Sequence, residues 1–95
     1  MSDVTKGYQL FTPLQLAEGL TLKNRIVYGP LTRARSDIDT RVPNEGNAVY
    51  YEQRAGAGLI ISEATAVSEQ GFGWYGAPAL YNDAHEAGWR SVVER

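Results

Sequence analysis

The stretch Asn24-Arg25-Ile26-Val27-Tyr28-Gly29-Pro30-Leu31-Thr32-Arg33 carries the reading of this chain. Its first half is a short apolar strand. Gly29-Pro30 breaks that strand, because a proline has no amide to give to a ladder. A hydroxyl, Thr32, and a cation, Arg33, come directly after the break. In α/β sheets, ligands sit beyond the carboxyl ends of the parallel strands. A strand that stops at Gly-Pro and turns into Thr therefore presents backbone amides and one hydroxyl where a cofactor would lie. The same residues admit a plainer reading, in which Gly29-Pro30 only ends a strand and Thr32 bonds its own loop.

Outward from this stretch, the chain alternates strand and helix signals. Pro43-Asn44 opens a helix, with Asn44 as N-cap and Glu45 near the positive end of the dipole. Ala48, Tyr51 and Ala55 recur at helical spacing and are expected to face a sheet. Gly56 and Gly58 are expected to end that helix. Gly46-Asn47 are weak helix formers, expected to cost about 1 kcal/mol. Leu59-Ile60-Ile61 is a short apolar run suited to a strand buried on both faces. Strand, helix and strand over residues 25–65 make one right-handed βαβ unit. Upstream, Leu14-Gln15-Leu16 and Leu20-Thr21-Leu22 alternate around Gly19, a β-hairpin over residues 14–22. Residues 1–7 read as a disordered lead. Downstream, the Gly- and aromatic-rich run Gly71–Pro78 is a long loop. Asp83 and Glu86 then read as a capping box for a helix over residues 83–95, with Ala87, Val92 and Val93 as its apolar side. The chain stops inside that helix, as a cut barrel would.

Composition narrows the classes. The 43% hydrophobic and 11% aromatic content is that of a folded protein. A net charge of −2 with interspersed signs argues against nucleic acid or an anionic membrane as the main partner. With no cysteine and one histidine, His85, neither a disulfide framework nor a multi-histidine metal site is available. His85 reads as a surface residue of the last helix. Neither a secretory leader nor a membrane span is visible, and a cytoplasmic location is the expectation.

Several blocks agree in order and spacing with one family. They are Leu10-Phe11-Thr12-Pro13-Leu14, Lys23–Arg33, Val42-Pro43-Asn44-Glu45, Tyr50-Tyr51-Glu52-Gln53-Arg54-Ala55, Gly58–Thr65, Ser68-Glu69-Gln70-Gly71 and Gly88-Trp89. From about Leu10 onward the chain resembles the Old Yellow Enzyme family of ene-reductases. The resemblance implies an α/β fold: the N-terminal fragment of a (β/α)8 TIM barrel, with a capping β-hairpin and about one and a half βα units. A whole barrel takes roughly 250 residues, so 95 supply only part of one. Ile26, Leu59 and Ile61 would lack neighbours, each forfeiting roughly 1.5–3 kcal/mol if left wet. The expectation is that the chain alone is neither stably folded nor active, and needs the remaining barrel polypeptide.

The resemblance also implies chemistry. Family members bind FMN non-covalently and reduce the C=C bond of α,β-unsaturated carbonyl compounds with NAD(P)H, hydride passing through flavin N5. By resemblance Pro30, Leu31 and Thr32 line the flavin. The Thr32 amide approaches N5, its hydroxyl donates to the C4 carbonyl oxygen, and Ala64 packs beside the same edge. Trp74 stands where the family usually has Tyr and would wall the substrate pocket, or else is a loop aromatic. Tyr28 and Gly29 stand where Met and Ala are common. Arg33 and Glu63 either pair above the strands or are separate charges, the second reading being preferred. Tyr50 and Tyr51 read as helix packing. No catalytic residue and no metal site falls within the chain. Alternatives are another FMN barrel, such as the reductase part of dienoyl-CoA reductases, or a truncated, non-catalytic chain that binds only complementary polypeptide. Gly29-Pro30-Leu31-Thr32 differs from the Ser-Pro-Met typical of the dienoyl-CoA branch.

Overall fold

The computed structural model describes Gly7 and residues 9–95. The expected disordered lead, Gly7 apart, lies outside the described residues. Leu14–Ala17 (β1) and Leu20–Leu22 (β2) form an antiparallel hairpin, with Leu14 opposite Leu22 and Gln15 opposite Thr21. Gly19 makes the turn at φ +78, a conformation that costs a glycine nothing. Leu22 is buried, whereas Leu16 and Leu20 remain half exposed. The Arg25 amide donates to the Leu10 carbonyl at 2.8 Å, and the Arg25 guanidinium donates to Thr12 Oγ1 and the Pro13 carbonyl, each at 3.2 Å. These bonds fasten the segment before the hairpin to the start of the next strand.

Val27–Tyr28 (β3) pairs in parallel with Leu59–Ile60 (β4), Val27 opposite Leu59 and Tyr28 opposite Ile60. The helix Glu45–Glu52 (α1) forms the crossover between them. The ladder runs on through Gly58 N–H to Ile26 O at 2.8 Å and Ile61 N–H to Tyr28 O at 3.0 Å. Asn24 sets the entry to both strands. Its Nδ2 donates to Gly56 O at 2.8 Å while its Oδ1 accepts from Ile26 N at 3.0 Å. A Cβ on Gly58 would lie 2.2 Å from Asn24 O, so only glycine permits this approach.

Helix α1 is shorter than its apolar spacing predicts. It ends at Glu52 with Gln53 as C-cap, and Arg54, Ala55 and Ala57 continue in three-residue turns. Ala55 is therefore exposed beyond the helix, and Gly56 and Gly58 serve the strand entry rather than the helix end. Asn47 is not the defect its propensity suggests. Its Oδ1 accepts from the Asn44 amide at 2.8 Å while Asn44 Oδ1 accepts from the Asn47 amide at 3.0 Å. This is a reciprocal capping box.

The second helix, Asp83–Glu94 (α2), is capped by Asn82, whose Oδ1 accepts from His85 N at 2.8 Å. The expected Asp83–Glu86 box does not form. Asn82 is the extended residue that can turn back onto the first free amides, with φ −145 and ψ 175. Helix α2 packs on α1 through Ala48, Tyr51 and Val92, flanked by Tyr50, Ile60 and Trp89. A Cβ on Gly88 would lie 2.7 Å from Val42 Cγ1 and 2.9 Å from Pro43 O, so this glycine lets α2 lie on the start of α1. Ala87 and Val93 face outward, because the packed stripe runs through Gly88, Trp89 and Val92. Ile61 is likewise 44% exposed and β4 only half buried. Among the described residues nothing covers the second face of that strand.

Candidate functional site

Two loops leave the carboxyl ends of the parallel pair: residues 29–44 after β3 and residues 61–82 after β4. The Ala64 amide donates to Thr32 Oγ1 at 3.1 Å, joining the two loops just past the strand ends. Two residues singled out in the sequence are thus in contact. The Thr32 hydroxyl, accepting here, keeps its own proton, for which no acceptor stands among the described residues. An accepted hydrogen bond polarises the O–H and makes it a better donor. Pro30 and Ala64 are exposed, and Leu31 is 57% exposed. Among the described residues no acceptor receives the Leu31 or Thr32 amide. A short ledge therefore offers amides, one polarised hydroxyl and small apolar surface on one side.

The loops brace one another. Ser36 N donates to Gly76 O at 3.0 Å and Ala79 N to Arg41 O at 3.0 Å. Ala34 and Arg41 adopt φ +59 and +64, left-handed values that non-glycine residues seldom take and that store strain near functional loops. At Gly76, φ +83, a Cβ would lie 2.5 Å from Ala34 O. The Gly-aromatic loop is thereby docked two residues beyond Thr32. The Arg41 guanidinium stacks 3.6 Å from the Phe72 ring centroid and donates to Tyr81 Oη at 3.0 Å. Trp74, on this loop, is 61% exposed and has no contact with the Thr32–Ala64 pair in the hydrogen-bond network.

Beneath the ledge lies a pair that sequence reasoning missed. Glu63 is 3% exposed. Its Oε2 accepts from Tyr51 Oη at 2.8 Å, and its own amide donates to the same phenol oxygen at 3.1 Å. Glu63 Oε1 is buried without a donor among the described residues. Burial, with the Glu63 carboxylate beside it, pushes the Tyr51 phenol up to about 12. The signal in the sequence was a carboxylate directly after an apolar strand, where a charge seldom stays buried unless paired. Arg33 does not reach Glu63. It stacks on the Tyr50 ring at 3.7 Å, and Arg54 stacks at the same distance, so Tyr50 is held between two guanidiniums. The two-separate-charges reading of Arg33 and Glu63 describes the structure. Tyr28 and Tyr50 are joined through their hydroxyls.

His85 is fully buried, not at the surface as expected. Its Nδ1 accepts from Tyr81 N at 3.2 Å, which leaves Nε2–H to donate to Thr40 O at 2.8 Å. Both nitrogens serve the backbone, so this histidine staples the first loop to α2. Among the described residues no cluster of His, Cys, Asp or Glu would hold a metal, and no helix is long and apolar enough to cross a membrane. A cleft of about 610 Å³ opens between α1, α2 and β4, lined chiefly by Tyr51, Ile60, Leu80, Trp89 and Val92. None of Pro30, Leu31, Thr32, Ala64 or Trp74 lines it.

A parallel β3–α1–β4 unit with a hairpin ahead of it defines the opening part of a (β/α)8 barrel, and the ledge of amides and hydroxyl lies at the C-terminal ends of its strands, the face where such barrels carry their sites. Residues 9–95 match the model of the NADH:flavin oxidoreductase / NADH oxidase family, and the chain belongs to that family. It is 41% identical over 97 residues to flavin oxidoreductase hxnT of Emericella nidulans, spanning 98% of this chain and 25% of that protein. It is 36% identical to a probable flavin mononucleotide-dependent alkene reductase of Leishmania infantum, over 99% of this chain and 26% of the relative. Among solved structures, morphinone reductase superposes with a TM-score of 0.83 at 53% identity, over 90% of this chain and 22% of that one. The old yellow enzyme from Trypanosoma cruzi gives 0.84 at 44%, over 90% and 23%. The chain thus spans about a quarter of the length of the relatives it matches.

Proposed function

We propose that this chain supplies one edge of the FMN site of an NAD(P)H-dependent reductase acting on the C=C bond of α,β-unsaturated carbonyl compounds. The observation that carries the reading is the Thr32–Ala64 hydrogen bond at 3.1 Å, which builds a donor ledge at the strand ends of a chain belonging to a flavin oxidoreductase family. The ledge fits a flavin edge. Pro30 and Leu31 would lie along the ring, the Thr32 amide and hydroxyl would donate to it, and Ala64 is small enough for the backbone to come close. FMN, when bound, would take a hydride from NAD(P)H and deliver it to the substrate β-carbon. The part of this chain is to orient and to polarise. A donor at Thr32 favours the electron-rich, reduced form of the ring. Trp74, exposed on the braced second loop, would wall the substrate side. The nicotinamide reductant is supported by a structure of morphinone reductase in complex with tetrahydroNAD. A cytoplasmic location goes with a pyridine-nucleotide reductant. Substrate and reductant would meet in a barrel completed by polypeptide beyond these 95 residues.

The test is a graft. Residues 9–95 replace the equivalent segment of morphinone reductase, and the purified product is examined for flavin absorbance and for NAD(P)H-dependent enone reduction. A yellow, active chimera is the expected result. A folded chimera that takes up no FMN would overturn the reading. A second reading has one observation behind it: the chain is also 39% identical to a probable inactive reductase, easA, of Epichloe festucae var. lolii. A chimera that binds FMN yet leaves enones unreduced would favour that non-catalytic alternative.

A further inference from the structure

Glu63 is a buried carboxylate that the flavin reading does not use. It sits one residue before Ala64, whose amide holds Thr32, and among the described residues its side chain bonds Tyr51 on α1 alone. The contact is doubled, since the phenol oxygen donates to Oε2 and accepts from the Glu63 amide. The Thr65 hydroxyl donates to the Glu63 carbonyl at 2.8 Å, so three successive residues, Glu63, Ala64 and Thr65, are each tied down.

We propose that Tyr51 and Glu63 are positioning residues for the flavin edge: the pair clamps the turn after β4 to α1 and so aims the Ala64 amide at Thr32 Oγ1. The proposal rests on the flavin reading and deepens it.

The alternative is that the pair serves stability alone, and energetics argue against that. Among the described residues Glu63 Oε1 has no donor, and a buried acceptor left unmade is costly. Replacing a buried polar pair by apolar groups of similar volume is often neutral or stabilising. A purely stabilising role would be filled better by Phe and Met. What an apolar pair cannot supply is direction. The phenol oxygen meets both the side chain and the amide of one residue, which fixes the Ser62–Glu63 peptide plane, while the Thr65 hydroxyl on the Glu63 carbonyl holds the next plane, the one that carries the Ala64 amide. Without it the strand end is free to rotate, because β4 is only two residues long and Ile61 is exposed. The hydroxyl of Thr32 would then lose the bond that polarises it.

The experiment uses the flavin-loaded barrel, this chain being completed by the remainder of morphinone reductase. Four proteins are compared: the parent, Tyr51→Phe, Glu63→Gln, and the double variant Tyr51→Phe/Glu63→Met. The readouts are amide exchange at Ala64, the FMN dissociation constant, the absorption band of bound flavin, and melting temperature. Tyr51→Phe is expected to speed Ala64 exchange, shift the flavin band and weaken FMN binding on the order of tenfold, as loss of an outer support does elsewhere. Glu63→Gln retains an acceptor for the phenol and is expected to keep the parental spectrum. The double variant is expected to melt at or above the parent while showing the flavin changes of Tyr51→Phe. Unchanged exchange, band and affinity in both Phe-containing proteins, with flavin still bound, would overturn the positioning role and leave the flavin reading standing. A parent that takes up no FMN would bring down both.

Discussion

Thr32 is where a single atom changes most. Its Oγ1 accepts from Ala64 N and has its own proton to give. If Thr32 lies at the flavin edge as proposed, Thr32→Ala takes away a donor from the side where the reduced ring would gather electron density, and the midpoint potential of bound FMN should fall. Potentiometry of the completed barrel checks this, and an unmoved potential would remove Thr32 from the role. Tyr51 gives a prediction in pH. Its phenol is held at about 12 in the fold against about 10 in an unfolded chain. The folded state therefore prefers the neutral phenol. The stability this supplies is fully present below pH 10 and is lost as pH rises through about 12. In the completed barrel, Tyr51→Phe should flatten the alkaline limb of a stability–pH curve, measured by denaturant titration at several pH values. An equally steep limb in the variant would mean that another group drives alkaline unfolding.

At the scale of elements, α1 shows how a polar residue with poor propensity becomes an asset. Asn47 is 1% exposed, closes the capping box with Asn44 and accepts from Ser36 Oγ at 3.2 Å. Asn44→Ala removes one arm of the box and should destabilise the completed barrel by about 1 kcal/mol. Asn47→Ala should cost more, since it also strips the Asn44 amide and Ser36 of their acceptor. Chemical denaturation of both variants ranks them, and the reverse order would deny the box its reciprocal character. The N-cap Asn44 was legible in the sequence, as was the break at Gly29-Pro30, because both depend on neighbours a few residues away. The end of α1 at Glu52, the cap at Asn82 and the burial of His85 were not. The cap at Asn82 has its partner only three residues on, at His85, but two neighbouring residues, Asn82 and Asp83, could each serve as cap, and the backbone at Asn82 decides between them. His85 is drawn inside by the Thr40 carbonyl, 45 residues earlier, and no local pattern announces that.

For the whole molecule, the radius of gyration is 16.3 Å, where a compact domain of this length has about 12 Å. Val27, Leu31, Ile61, Leu80 and Val93 are each 44–77% exposed. The buried set is correspondingly small: Leu22, Ala48, Tyr51, Ala77, Ala79 and Val92 are its apolar members. Such a core does not offset the conformational entropy of ordering the chain. The 95-residue chain by itself should therefore show no cooperative thermal transition by calorimetry, and should gain one when the rest of a barrel is supplied. A sharp transition of the chain alone would contradict this accounting.

The order of strand, helix and strand, the hairpin ahead of them and the place of Pro30, Leu31, Thr32 and Ala64 past the strand ends were all determined by sequence alone. Alternating apolar residues, Gly-Pro breaks and helix caps act over a few residues, and the chain writes them out in order. Only the tertiary structure decided that the Ala64 amide meets Thr32, that Glu63 turns inward to Tyr51 and that Arg33 lies on Tyr50. Those contacts join residues 12 to 32 positions apart. Their partners are chosen by how two loops and a helix come together, and that is settled by packing and by the need to pair buried polar groups rather than by any local pattern.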